Sequence, residues 1–168
     1  SGGMIVMDED DCMVSVSRFY LDFTVEESCG KCTPCRIGNK RLLEMLNKIT
    51  EGRGTMKDLN ALSTLGKVIK DTALCWLGQT SPNPVLSTLN NFYDEYVEHV
   101  RDKTCRAKQC KALLTYTINP ELCIGCHLCF KHCPADAILG DVRKPHVINP
   151  DKCIMCMARC KFKAINVV

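Results

Sequence analysis

The chain has 168 residues, 46% apolar and 24% charged, with a formal net charge of +3. That length suits one ordinary domain plus a small one. No run of 18 apolar residues is present, which argues against a membrane-spanning helix, and no basic start with an apolar stretch behind it marks a secretory signal.

The net charge hides a split. Residues 1–100 carry a net of −4 and residues 101–168 a net of +7. A basic tail would suit nucleic acid. Metal-bound thiolates keep their negative charge, however, and would cancel much of that excess. The aromatics also lack the interleaving of a base-stacking platform, so no nucleic-acid partner is expected. Fourteen cysteines dominate the composition. Most sit in Cys-x2-Cys or Cys-x3-Cys steps, too close for comfortable structural disulfides and well spaced for thiolates converging on an inorganic core. That places the chain in a reducing compartment, the cytoplasm, rather than among secreted disulfide scaffolds.

The opening "SGGMIVMDEDD" reads as a Gly turn feeding a buried strand, an odd beginning that suggests a piece of a longer chain. "CMVSVSRFYLDFTVEES" (12–28) reads as a first helix, with Val16, Phe19, Tyr20 and Phe23 at helical spacing. "RIGNKRLLEMLNKIT" is a second, with Leu42, Leu43, Leu46 and Ile49 on one face, ended by "EGRG". "TMKDLNALSTLGKVIKD" is a third, N-capped by Thr55 and striped by Leu59, Leu62, Leu65 and Ile69. After the "SPNP" break, "VLSTLNNFYDEYVEHV" is a fourth, with Leu89, Phe92, Tyr96 and Val100. The fold class expected for residues 1–100 is therefore a strand followed by a four-helix bundle. Residues 101–112 form a charged linker or hinge. Residues 113–168 form a small α+β domain of short strands ("LLTYTI", "AIL", "HVI", "AINVV") with an internal repeat of about thirty residues, too small to stand without a staple.

The tail run "CIGCHLCFKHCP" has the form Cys-x2-Cys-x2-Cys-x3-Cys-Pro: Cys123, Cys126, Cys129, Cys133 and Pro134. This is the bacterial two-cluster ferredoxin spacing, in which three thiolates on one loop cap one [4Fe–4S] cube and the fourth reaches the other. Gly125 relieves crowding between the first two ligands. The second run, "CIMCMARCKFKAI", is three residues short and lacks its third cysteine, with Arg159 where a front alignment wants one. Aligned from the back, Cys160 completes cluster one with Cys123, Cys126 and Cys129. Cluster two keeps Cys133, Cys153 and Cys156 and is incomplete: a [3Fe–4S] core, a cube with a non-protein ligand, or a motif whose missing x-x-Cys is absent from this sequence only. In the bundle, "ESCGKCTPCRIG" gives Cys29, Cys32 and Cys35 at the start of the second helix, where the helix dipole favours thiolates. Cys75, at the end of the third helix, is the fourth ligand of a [4Fe–4S] cluster, since an up-and-down bundle brings those two ends together. Two to three [4Fe–4S] clusters are expected in all.

"ESCGKCTPCRIG" and "LCWLGQT", with "GMIVMDED" before them, resemble the cluster-binding bundle of the flavin- and NADH-binding subunit of respiratory complex I, over residues 1 to about 100. The added two-cluster tail resembles the C-terminal portion of the B-type subunit of multimeric, electron-bifurcating or NAD(P)-linked iron–iron hydrogenases. The resemblance implies an electron relay without a catalytic site of its own. FMN and NAD(H) belong to an upstream domain of the same polypeptide, and no Gly-rich phosphate loop is legible here. The implied partners are hydrogenase and thioredoxin-like [2Fe–2S] subunits and a soluble ferredoxin. The same relay would also suit an NADH-linked formate dehydrogenase.

Three cysteines remain. Cys105 and Cys110 are a Cys-x4-Cys pair, His99 precedes them, and Cys12 starts the first helix. If those helix ends meet, Cys12, His99, Cys105 and Cys110 make a Cys3His tetrahedron for structural zinc, with a [2Fe–2S] centre as the lesser alternative. His127, His132 and His146 read as surface residues or as neighbours of the ligands. A reading from another class is a zinc-ribbon module for protein or nucleic acid.

Overall fold

A computed structural model of the chain describes residues 5–150, 152–154 and 160–167. The chain divides into two units, residues up to Leu113 and residues from Leu114 onward. No described helix is long and apolar enough to cross a membrane.

The first unit is helical. α1 (Met13–Glu26), α2 (Asn39–Thr50), α3 (Met56–Thr72) and α5 (Asn83–Asn91) are its long members. Each of α1 and α3 packs against both α2 and α5. α4 (Trp76–Thr80) is one short turn between α3 and α5, and α6 (Tyr93–Val97) follows α5. Leu42, Leu46 and Ile49 of α2 and Leu59, Leu62 and Ile69 of α3 are fully buried, as their spacing requires. Thr55 starts α3 with a reciprocal capping box: the Asp58 carboxylate accepts from the Thr55 backbone N–H at 2.7 Å, and the Asp58 backbone N–H returns to Thr55.

Three expectations change. In α1 the buried stripe is Val14, Ser17, Leu21 and Thr24, while Phe19 and Phe23 are 66% and 56% exposed. Ser17 and Thr24 tolerate burial because their hydroxyls are satisfied. Ser17 Oγ donates to the Met13 carbonyl at 2.8 Å and meets Thr88 Oγ1 and Tyr96 Oη at 2.6 and 3.0 Å; Thr24 Oγ1 donates to Tyr20. The predicted fourth helix is two, α5 and α6, because Phe92 leaves helical geometry (φ −127°, ψ 39°) and turns its ring partly to solvent. The opening strand does not form among the described residues. Ile5, Val6 and Met7 are exposed, and no described residue of this unit offers them a strand edge to pair with.

The expected linker, residues 101–112, also differs: it is packed into the first unit. Cys105, Ala107 and Cys110 are buried in the same core as Leu42 and Leu62. Lys103 Nζ donates to the Gly54 carbonyl, Arg106 pairs with Glu98, and Gln109 Nε2 donates to the Asp10 carbonyl. The charged residues point outward and hide an alternation of small buried ones.

The second unit has two antiparallel strand pairs. β1 (Tyr116–Ile118) pairs with β4 (Ile165–Val167), and β2 (Ile138–Leu139) pairs with β3 (Val147–Ile148). The only helix among its described residues is α7 (Leu128–Lys131). The Ala-Ile that follows each cysteine run starts a strand. Ala137, Ile138 and Ala164 are buried, and with Ile148 and His146 they are the small core.

The corrected α1 stripe makes a direct prediction. Leu21→Ala should cost about 2–5 kcal/mol, whereas Phe19→Ser should stay within about 0.5 kcal/mol. Urea denaturation of the metal-loaded protein measures both, and the reverse ranking would restore the aromatic stripe to the core.

Candidate metal centres

The first centre is built from both ends of the helical unit. Cys12 is the N-cap of α1, its Sγ accepting from Ser15 N–H at 3.5 Å. His99 sits in the π-turn Glu98–Asp102 that continues α6, and Cys105 and Cys110 come from the loop behind it. All four are buried, and their ligand atoms lie within 4.8 Å of one another. Cys12 Sγ is 3.8 Å from Cys110 Sγ, and His99 Nε2 is 3.3 and 3.4 Å from the two sulfurs. A tetrahedral ion with metal–sulfur bonds of about 2.3 Å sets a sulfur–sulfur edge of roughly 3.8 Å. The spacing therefore fits one ion at the centre, and it crowds out a two-iron core.

His99 is oriented for this. Its Nδ1–H donates to the Glu95 carbonyl at 2.7 Å, which leaves the Nε2 lone pair facing the sulfurs. The Cys110 thiol holds the Cys12 thiol down to about 4, with His99 and Ser15 helping against burial. The same contact, with burial, pushes Cys110 up. Burial opposes charge on His99, but the Cys12 thiolate outweighs it and raises the imidazole. A metal ion takes cysteines as thiolates, so a cation entering the site would release the protons these thiols hold.

The second set lies where α3 ends and α2 begins. Cys35 belongs to the π-turn Pro34–Gly38 that runs straight into α2. Cys32 and Cys35 are buried together with Ala73; Cys29 and Cys75 are exposed. The chain beside Cys75 lies against the buried pair. Leu74 N–H bonds to the Cys32 sulfur, the largest cause holding that thiol below its usual range. Gly78 faces Cys35 so closely that a Cβ there would fall 3.2 Å from Cys35 Cβ and 2.7 Å from Ala73 Cβ. Cys35 Sγ also receives Asn39 Nδ2 at 3.5 Å and lies 3.2 Å from Ser28 Oγ. Asn39 is fixed in turn by Ser81 Oγ, which donates to its Oδ1 at 2.9 Å.

Sequence reasoning passed over Asn39, Ser81 and Gly78. The signal for Asn39 is visible afterward: it stands on the buried stripe of α2, one turn before Leu42, where a polar side chain needs a reason. Donor groups around clustered thiols, and space kept clear beside them, fit a group that carries negative charge.

The third set is in the second unit. Cys123, Cys126, Cys129 and Cys160 line one small cavity whose walls are Ile118, Ile124, Leu128, Phe162, Ala164 and Ile165. Burial and the nearby sulfurs of Cys123, Cys126 and Cys160 push the Cys129 thiol up. Four convergent thiols in an apolar cage fit a cluster of the cube type. Gly125 has φ +69°, and a Cβ there would lie 2.4 Å from Lys144 N. Only glycine lets the ligand loop sit against the chain at Arg143 and Lys144, where Arg143 N–H donates to the Gly125 carbonyl at 2.9 Å. Cys133 does not line this cavity; its Sγ accepts from Ala137 N–H at 3.3 Å. Cys153 is half-buried, and Cys156 lies outside the described residues. The histidines are not alike: His132 is exposed, while His146 is buried and bonded through Nε2 to His127 Nδ1 at 2.8 Å.

Comparison with known proteins adds to this geometry. Residues 15–99 match the model of the NADH-ubiquinone oxidoreductase-F iron-sulfur binding region, and residues 116–139 match that of a 4Fe-4S binding domain. The chain is 62% identical to the NADP-reducing hydrogenase subunit HndC of Solidesulfovibrio fructosivorans over 146 residues, 87% of this chain and 30% of that protein. It is 39% identical to the F-type NADH-quinone oxidoreductase subunit of Streptomyces coelicolor over 98 residues, 58% of this chain and 22% of that one. Among solved structures, a chain from the crystal structure of the NAD+-reducing [NiFe]-hydrogenase in the H2-reduced state is similar. Its TM-score is 0.55 at 28% identity, over 57% of this chain and 16% of that one. The chain spans less than a third of the length of these relatives.

Gly125→Ala should stop the second unit from holding iron while the first unit keeps its share. Iron and acid-labile sulfide per chain, measured on anaerobically purified protein, check this; an unchanged count would show that the loop does not need glycine.

Proposed function

The chain belongs to the family of the NADH-ubiquinone oxidoreductase-F iron–sulfur binding region, and from that premise we propose that it is the iron–sulfur relay segment of an NAD(P)(H)-linked, flavin-dependent oxidoreductase complex. In this reading residues 13–100 are a four-helix bundle holding a [4Fe–4S] cluster on Cys29, Cys32, Cys35 and Cys75. Residues from 114 onward are a two-cluster ferredoxin-like domain. Cluster one uses Cys123, Cys126, Cys129 and Cys160, and cluster two uses Cys133, Cys153 and Cys156. FMN and NAD(H) belong to an upstream domain of the whole protein. Hydrogenase and thioredoxin-like [2Fe–2S] subunits, with a soluble ferredoxin, are its partners in the cytoplasm.

The observation that carries the reading is the cavity lined by Cys123, Cys126, Cys129 and Cys160, which draws ligands from both cysteine runs. Such clusters, when bound, supply one-electron transfer at potentials set by their surroundings. The residues of this chain govern those surroundings. Leu74 N–H and Asn39 direct donors at the bundle sulfurs, with Ser28 Oγ within reach, and the cavity of the second unit is lined largely by apolar side chains. The hydrogenase assignment is favoured over a formate dehydrogenase by the 62% identity to a hydrogenase subunit, which extends past the bundle. A zinc-ribbon binding module is not favoured, since both matched family models are iron–sulfur domains.

Cys12, His99, Cys105 and Cys110 are assigned to structural zinc. Four ligand atoms at single-ion spacing, all buried, leave no open position for substrate. The site ties the start of α1 to the end of the helical unit and fastens residues 101–112 to the core.

Metal analysis with EPR on the anaerobically purified full-length protein tests the reading. Iron and sulfide should be equimolar, with about one zinc per chain. His99→Ala should lose the zinc and keep the iron. Zinc without sulfide would sink the relay.

A further inference from the structure

His146 is 2% exposed and lines the cavity shared by Cys123, Cys126, Cys129 and Cys160. Its backbone N–H donates to Cys123 Sγ at 3.5 Å. Its Nε2 is 2.8 Å from His127 Nδ1. Its other ring nitrogen, Nδ1, is buried with no hydrogen-bond partner among the described residues. A buried polar atom without a partner is costly, so an orphan on a residue that lines the cavity points to what fills the cavity.

We propose that His146 is a hydrogen-bond donor to the cluster of this cavity, its Nδ1–H directed at a cluster sulfide or a ligand thiolate. The inference rests on the reading of Cys123, Cys126, Cys129 and Cys160 as the ligands of one cluster. Those four thiolates fill the four iron corners, so the imidazole is left to bond sulfur rather than iron. The tautomer follows from its partners. A lone pair on Nδ1 would face electron-rich sulfur, whereas an N–H there is satisfied by it.

With the hydrogen on Nδ1, Nε2 accepts from His127 Nδ1–H. His127 is held for that task. Its backbone is left-handed (φ 64°) ahead of α7, and its ring stacks on Phe130 with centroids 4.3 Å apart. Gly140 keeps the other side clear, since a Cβ there would lie 3.0 Å from the His146 ring. His127, Phe130 and Gly140 therefore position the imidazole, and His146 is a tuning residue. On one-electron reduction no covalent bond forms or breaks; the cage gains one negative charge, delivered by the flavin-linked relay, and the N–H stabilises it. Hydrogen bonds to the sulfurs are among the factors that set cluster potentials, and this one raises the potential of cluster one.

The test uses the full-length protein in its complex. With histidine 15N-labelled only at the imidazole nitrogens, pulsed EPR of reduced cluster one should show a nitrogen coupling from the ring, with an exchangeable proton coupled to the cluster. EPR-monitored titration of His146→Phe should shift the midpoint of cluster one to more negative potential and leave the bundle cluster where it was. His146→Gln, which keeps an N–H donor, should recover most of the shift. A cluster one with no histidine coupling, or a midpoint identical in wild type and His146→Phe, overturns the proposal. So does a His146→Gln midpoint as low as that of His146→Phe, which would make the effect one of packing. The labelling measurement needs no variant and stands if His146→Phe fails to assemble. Absence of cluster-one iron in the wild type would overturn the relay reading itself, whereas an intact cluster without the coupling overturns only the role of His146.

Discussion

Sulfur atoms are held here close to one another in partly or wholly buried sets, and much of the structure is arranged around that crowding. Cys12 and Cys110 lie 3.8 Å apart and buried, and their contact lowers the Cys12 thiol and raises the Cys110 thiol. The Cys110 thiol favours Cys12 as thiolate, and His99 presents Nε2 to the same pair. A cation at the centre would release the protons these thiols hold and satisfy all four ligands together. The fold depends on this because the ligands come from its two ends. Cys12 begins α1, and His99, Cys105 and Cys110 close the unit. That attraction would add to the burial of Cys105, Ala107 and Cys110 and to the contacts of Lys103, Arg106 and Gln109, which hold residues 101–112 to the core.

The same constraint is met differently in the other sets. At Cys32 and Cys35 it is met with donors: Leu74 N–H, Asn39, and Ser28 within reach. In the second unit the donors are backbone N–H groups of Ala137 and His146, and the core among the described residues is thin. A domain of that size has too little apolar surface to offset chain entropy alone, and its buried residues are largely alanine, isoleucine and histidine. Its thiols converge on a cavity inside what would otherwise be the centre of the core. A group bound by these thiols would supply stability that the core alone lacks, whereas α1, α2, α3 and α5 have aliphatic packing of their own.

Legibility in the sequence followed the same physics. Where burial is driven by aliphatic side chains, as in α2 and α3, period and packing agree, and the Thr55–Asp58 box marks the boundary within a residue. Where burial is driven by polar pairing, period counting misleads. Phe19 and Phe23 outscore Ser17 and Thr24 on any hydrophobicity scale, yet the hydroxyl cluster of Ser17, Thr88 and Tyr96 takes the interior. That cluster joins residues more than seventy positions apart, and no local window contains it. The loop 101–112 reads as a linker for the same reason: its five exposed cationic side chains mask Cys105, Ala107 and Cys110. The cysteine spacing pointed to chemistry at once. It did not reveal Asn39, Ser81 or the His127–His146 pair, whose roles exist only once the chain has folded.

The two cysteine runs look like siblings, but the second unit treats them unequally. Its first run lies in a loop pinned by a left-handed glycine and a left-handed histidine, with backbone positions Arg143 to His146 laid against it. That contact fixes where Cys123 and Cys126 stand before any metal arrives. Cys160 reaches the same cavity from the second run, shortly before β4, because β4 must return to pair with β1. The crossover is thus imposed by strand pairing as much as by metal preference: Ile165 opposite Ile118 leaves Cys160 beside the first loop. The shorter spacing of the second run lies ahead of β4, outside the β1–β4 register that brings Cys160 to the cavity.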